Sequence, residues 1–301
     1  MAAGEPKIDK PVTSELGNVS PVIVAPGPWS DEDIEFHAEN IATQLANNAG
    51  FNCNAVRVLV MPEQWDRREA FLEALQETFE ELDTRTAYYP GAADRFERFT
   101  GLDDDTRVLG DPDDDAELPF AIIPDLDPDD EDHPAFRQEA WCTVMAETRL
   151  PGNDPGEFLR NAVDFCNDVL WGTLNASILI HPETRRDIGM ILHDAIDELL
   201  YGTVVVNHWP AIGYALGVTP WGAYPGHTYQ NIQSGIGVVH NTMMFEKTEK
   251  SVIDGPFRVN PKPPWFATNE AADEVAPKLV DLERDPSIGK FLGVAWSTLF
   301  A

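Results

Sequence analysis

The sequence predicts an α/β fold, a mainly parallel sheet flanked by helices. Three observations carry that expectation. The chain opens on strand, helix, strand, helix, the rhythm of a parallel α/β domain. The same alternation resumes near residue 140 and runs to residue 207. The 301 residues, 43% of them hydrophobic, suffice to bury a core of that kind.

Each element follows from local signals. Residues 1–20 are polar and end in the turn-like Ser20-Pro21. Val22-Ile23-Val24 reads as a short buried strand, broken by Pro26-Gly27-Pro28. Ser30 then caps a helix whose first turn, Asp31-Glu32-Asp33, carries the negative charge that a helix N-terminus favours. Ile34, His37, Ile41 and Leu45 recur at helical spacing, and Gly50 ends the run. Residues 56–61 read as the next strand, stopped by Pro62, and a helix follows with Phe71, Leu72, Leu75, Phe79 and Leu82 on one face. Residues 84–118 have little apolar period beyond an aromatic patch of Tyr88, Tyr89, Phe96 and Phe99. Residues 140–146 are expected as a strand, 155–170 as a helix, 174–180 as a strand, 183–200 as a helix and 203–207 as a strand. Residues 209–235, rich in Gly, Pro, Trp and Tyr, form a loop long enough to shape a site. Residues 1–255 are therefore read as one body. Residues 256–301 are read as an extension that packs on it or on a neighbour.

The charge narrows the function. Fifty-two acidic residues face 21 basic ones, a formal charge of −31. Nucleic acids and anionic membranes draw their affinity from Lys and Arg, so neither is an expected partner. With only seven lysines, such a surface suits a salt-rich cytoplasm, where screening weakens self-repulsion. The acidic stretches 111–115 and 127–132 read as solvated loops, since neither has the spacing of a calcium loop. The seven histidines show no zinc-binding spacing, and no metal is expected. Three cysteines are too few and too odd for a secreted disulfide framework. No apolar run reaches the ~18 residues of a membrane span, and the N-terminus lacks a signal peptide's apolar core, so a cytoplasmic location is expected.

The chemistry centres on Gly50-Phe51-Asn52-Cys53-Asn54-Ala55, which puts a thiol in a short loop between a capped helix and a strand. Such a thiol is a nucleophile when its surroundings favour the thiolate, and a buried inert cysteine when they do not. Glu15 precedes the first strand as Cys53 precedes the second. If those strands are neighbours, the carboxylate and the thiol approach one pocket, where Glu15 would serve as a general base.

These residues resemble the NAD(P)-dependent aldehyde dehydrogenases. Glu15-Leu16-Gly17-Asn18-Val19-Ser20-Pro21 is similar to that family's Glu-Leu-Gly-Gly-Lys-Ser-Pro motif, which carries its general base. Gly50 to Cys53 is similar to its Gly-Gln-x-Cys motif, which carries the nucleophile, and Arg57-Val58-Leu59-Val60 to the strand after it. Glu139-Ala140-Trp141 resembles the Glu-x-Phe motif that holds the nicotinamide ribose, which implies Glu139 and Trp141 as binding residues for NAD or NADP. Residues 162–172 match the family's Ala-Asn-x(3-4)-Tyr-Gly segment loosely, and residues 202–207 its Gly-Thr-Val-x-Val-Asn strand. Pro220-Trp221-Gly222-Ala223 and Ser234-Gly235-Ile236-Gly237 resemble its Pro-Phe-Gly-Gly and Ser-Gly-x-Gly pieces. Asn52, Asn207 and Trp221 are thereby implied as lining of a substrate pocket, with Trp209, Tyr214, Tyr224 and Tyr229 as candidate walls of an apolar tunnel.

The resemblance implies oxidation of a small-molecule aldehyde to its acid by Cys53 and Glu15, and the fold of that family's C-terminal catalytic half. It also implies that the family's cofactor-binding domain, with its oxyanion asparagine, is absent from these residues. Gly235-Ile236-Gly237 lacks the third glycine and the ribose-binding acid of a dinucleotide fingerprint. The family's dimers and tetramers imply a homo-oligomer, built through the edge-like, charge-broken segment 245–253. Two alternatives stand beside this reading. One is a truncated, non-catalytic homologue. The other is a thiol hydrolase or acyltransferase pairing Cys53 with His208, His227 or His240.

Overall fold

The computed structural model describes residues 10–299. Eight strands form the main sheet: β1 (Ser20–Val24), β2 (Val56–Pro62), β3 (Arg107–Leu109), β4 (Phe120–Leu126), β5 (Val144–Leu150), β6 (Asn175–Leu179), β7 (Thr203–Val206) and β8 (Ser251–Asp254). Their order across the sheet is β8-β7-β6-β1-β2-β5-β4-β3. Every pair is parallel except β3 against β4, which closes one edge antiparallel.

The central strands are apolar on both faces because both faces are covered. Val19, Ile23, Val58 and Val60 point into one layer, with Phe158, Leu159 and Ala162 of a helix over Pro155–Asp168. Val22, Val24, Leu59 and Met61 alternate into the other, beneath α1 (Asp31–Ala46) and α2 (Arg68–Glu81). The α1 cap is reciprocal: Asp33 N–H donates to Ser30 Oγ at 3.2 Å and Ser30 N–H to Asp33 Oδ2 at 2.9 Å.

Four sequence expectations shift. The expected strand at 140–146 lies at Val144–Leu150, so Glu139 and Trp141 sit in the loop before it. The expected helix at 183–200 is two helices, Pro182–Ile188 and Met190–Glu198, parted at Gly189 with φ +52°. Strand β4 has no counterpart in the sequence expectations. The strand-like run 245–253 is ordered only as β8, which pairs with β7 on one side. Beyond β8, Phe257 and Phe266 pack on the α1 layer at Trp29 and Phe36. Two helices follow, Ala272–Arg284 and Ile288–Leu299. Among the described residues no helix is long and apolar enough to cross a membrane.

Candidate active site

β1, β2 and β6 are neighbours, and the segments that enter them meet at one edge of the sheet. Leaving α1, the chain turns left-handed at Asn48, Ala49 and Gly50 (φ +52°, +52° and +75°). A glycine is required at the third position, because a Cβ on Gly50 would lie 2.4 Å from the Cys142 carbonyl oxygen. That turn delivers Cys53 to the head of β2. The loop is then pinned through its backbone: the Cys53 carbonyl accepts from Asn175 Nδ2 at 3.0 Å and from Ser20 Oγ at 3.3 Å.

Glu15 arrives on a two-residue strand, Ser14–Glu15, paired antiparallel with Gly235–Ile236. Glu139 arrives from the loop before β5 and rests on Gly17. A Cβ there would sit 1.9 Å from Glu139 Oε2, and Asn18 N–H reaches Glu139 Oε1 at 3.4 Å. The structure thus places Glu15 and Cys53 near one another, as the adjacency of their strands leads one to expect, with Glu139 beside them.

Electrostatics set the protonation of this cluster. Burial raises the Cys53 pKa, and Glu15 raises it further as a charge and as a hydrogen-bond acceptor, with a smaller push from Glu139. The resting group is a thiol, not the thiolate that an electropositive pocket would give. Burial likewise pushes Glu139 up to about 7, against the pull of Arg57 and the Asn18 amide. Cys142 and Cys166 are fully buried, with pKa values raised by burial, so Cys53 is the accessible thiol of the three.

The other expected residues fall in different places. Asn52 folds back on the helix end, donating to Asn47 O at 3.2 Å and Asn47 Oδ1 at 3.0 Å. Asn207 lies at the opposite, carboxyl ends of the strands, where its Oδ1 accepts from Ile180 N–H at 2.8 Å. It therefore ties strand ends and does not meet Cys53. Trp221 is fully buried and packs edge-on against Tyr214, a core position and not an open wall. Tyr224 and Tyr229 turn to Glu249 and to the Val12 carbonyl. Trp209 does reach the site: its indole N–H donates to the Asn54 carbonyl at 2.7 Å, and its ring lines an apolar groove of about 380 Å³ with Ile212, Leu216 and Trp265. Trp141 adopts φ +47° and packs edge-on against Tyr89, which joins Tyr88 around Phe51. The unperiodic segment 84–118 thereby walls the cysteine loop.

The three candidate histidines are engaged elsewhere. His227 contacts Thr173 Oγ1 at 2.7 Å, His208 lies against Gly255 and His240 beside Tyr214. Sequence reasoning passes over Asn18, Asn175 and Arg57 as site residues. Asn18 and Arg57 lie inside the two motifs that carry Glu15 and Cys53, and their polarity within apolar runs is the signal that marks them.

No protein-family model matches the chain, and no curated protein does. Solved structures do. A putative aldehyde dehydrogenase from Burkholderia cenocepacia superposes with a TM-score of 0.59 at 22% identity, over 76% of this chain and 46% of that one. An NADP-dependent glyceraldehyde-3-phosphate dehydrogenase from Bacillus halodurans gives 0.58 at 19% identity, over 77% and 45%. An NAD-dependent aldehyde dehydrogenase from Sinorhizobium meliloti gives 0.57 at 16%, over 77% and 43%. The chain spans less than half the length of these structures, and within that span its mainly parallel sheet flanked by helices is the fold of the aldehyde dehydrogenases.

Proposed function

We propose that this chain carries the thiol chemistry of an aldehyde-oxidising enzyme, with Cys53 as nucleophile and Glu15 as general base. The observation that carries the reading is a partly exposed thiol at the head of β2 that stands close enough to the Glu15 carboxylate for its charge to act on it. Because the thiol rests protonated, Glu15 acts first on the thiol itself. It takes the S–H proton as sulfur attacks the aldehyde carbon and the C–S bond forms. It gives that proton to solvent and acts a second time by taking a proton from the water that attacks the resulting thioester, the proton it later returns to the departing sulfur. The C–S bond then breaks, the acid leaves and the thiol is restored.

NAD or NADP, when bound, supplies the hydride acceptor between those two proton transfers. The chain's residues fit its nicotinamide end. An ionised Glu139 is a bidentate acceptor for ribose hydroxyls, and Trp141, whose buried indole N–H has no partner, stands beside it. The pyrophosphate end is not matched. Gly235-Ile236-Gly237 is held in the strand that pairs with Glu15 and runs on into another strand, Val238–His240, with no helix N-terminus to face a phosphate. The groove beside Trp209 favours an apolar aldehyde.

The test is a pre-steady-state assay of the full chain with NAD, NADP and hexanal, read as reduced cofactor and as a mass increase on the Cys53 peptide. Cys53→Ala is expected to abolish both signals. Glu15→Gln is expected to slow them by about 10²–10⁴-fold, the range for a lost general base. Equal reactivity of wild type and Cys53→Ala sinks the proposal.

A further inference from the structure

Arg57 follows Cys53 by four residues and is wholly buried, yet among the described residues no carboxylate lies within ion-pair distance of it. Its guanidinium is held by backbone carbonyls instead. Nη2 donates to Gly50 O at 2.5 Å, and Nη1 donates to Cys142 O at 2.6 Å and to Val144 O at 3.3 Å. Gly50 heads the cysteine loop, and Cys142 closes the segment that carries Glu139 and Trp141. Those two backbones touch, since a Cβ on Gly50 would strike the Cys142 carbonyl. Two carbonyls from separate segments face one cation, and only a planar fork reaches both.

Burying an arginine without a partner carboxylate is costly, and an apolar residue would usually serve stability better. Its presence therefore calls for a reason in the charges around it. The charged groups that act on it are Glu139 and, opposing, Arg95, with the Cys142 and Cys53 thiols beside them. Glu139 in turn faces Glu15, Arg95 and the Asn18 amide besides Arg57, and Arg98 acts on Cys142. Arg95 adds a second clamp from its own helix (Ala92–Thr100), donating twice to the Trp141 carbonyl, at 3.2 and 3.1 Å.

We propose that Arg57 is the positioning residue of this site: it locks the cysteine loop to the 139–142 segment, and its buried charge offsets part of the burial that disfavours an ionised Glu139, the form that accepts hydrogen bonds from a ribose. The proposal rests on the reading of Glu139 as a ribose ligand, but its two physical claims are measured on the full chain without cofactor or aldehyde. Failure of the enzyme reading and failure of the clamp are thus separate results.

The first measurement is the titration of the Glu139 carboxyl by carbon NMR on glutamate-labelled protein, assigned by the signal lost in Glu139→Gln. The second is amide hydrogen exchange over residues 50–53 and 141–143. In Arg57→Met, the Glu139 midpoint is expected to rise by about one pH unit or more, with faster exchange in both segments. Arg57→Lys keeps the charge and loses the fork. It is expected to return the midpoint to within about half a unit of wild type, while exchange stays fast. A folded Arg57→Met with the wild-type midpoint overturns the electrostatic half, and wild-type exchange overturns the clamp. If Arg57→Met does not fold by circular dichroism, Arg57→Lys decides. Wild-type exchange in that variant overturns the clamp, and a midpoint raised as far as one unit overturns the claim that the Arg57 charge, not its fork, acts on Glu139.

Discussion

The two edges of the sheet differ in kind. In open parallel sheets, ligands settle at the carboxyl ends of the strands, where the winding reverses. Here the winding reverses between β1 and β6, and that end is filled. Trp29, His37 and Phe257 pack there with ring centroids 4.5–5.1 Å apart, and His181 lies 5.2 Å from Phe257. The chemistry-bearing groups gather at the other, amino edge. The carboxyl edge is closed around a histidine that burial drives to a pKa of about 3, while the amino edge holds half-buried carboxylates and a half-buried thiol beside an arginine with no ion pair among the described residues. One edge is packed as core and the other gathers the candidate site.

The sharpest way to break that comparison is to hollow out the core edge. Phe257→Ala is expected to cost about 3–5 kcal/mol in denaturant unfolding, while alkylation of Cys53 in the native state keeps its wild-type rate. A change in that rate would show that the edges are coupled.

The two edges should also respond to pH with opposite sign. His37 has a folded pKa below its unfolded one, so below pH 6.5 the unfolded chain binds the extra proton and stability falls with acid. Asp33 opposes that shift, and His208 and Arg258 add to it. The loss expected between about pH 6.5 and pH 5 is about 2 kcal/mol, and His37→Phe should flatten it. Glu139 has a folded pKa raised to about 7, so its contribution is full below 4.5 and is lost as pH rises through 7. Glu139→Gln should remove that loss between pH 4.5 and 7 and leave the opposing His37 loss, which overlaps it, as it was. Urea midpoints measured from pH 4.5 to 8 would separate the two. The smallest effect is expected at Asn52→Ala. That side chain bonds only to the exposed turn at Asn47 and Asn48, so about 0.5 kcal/mol is lost and Cys53 reactivity is unchanged.

The sequence is most legible where punctuation is strong. Ser30 and Gly50 bracket α1, and the left-handed turn that presents Cys53 follows from Asn48 to Gly50. It misleads where polarity and burial part company. Ala140, Trp141 and Cys142 look like a strand but form the loop that holds Glu139, while Glu147 and Thr148 look exposed yet lie buried in β5. Glu147 is neutralised there by Arg68 at 2.7 Å, and Thr148 donates to the Leu126 carbonyl at 2.7 Å. β4 is hidden because its apolar run is short and flanked by aspartates. The pocket residues Asn207 and Trp221 come from motif position alone. A matched motif fixes a place in the chain, but the fold decides which edge that place occupies.

Glu15 and Cys53 are anchored very differently. The cysteine loop is fastened to two strands of the main sheet by Ser20 and Asn175, whereas the Glu15 segment is held to the Gly235 loop, by its two-residue pairing with Gly235–Ile236, by Leu16 N–H on the Ser234 carbonyl and by Ser234 Oγ on the Gly17 carbonyl. Short pairings of that kind open locally at low free energy, and pinned loops open only with the sheet. On the proposed roles, the thiol is then the fixed point and the carboxylate the moving arm. If Glu15 is the base proposed above, the rate at which protons enter and leave the thiol would follow how often its pairing with the Gly235 loop opens.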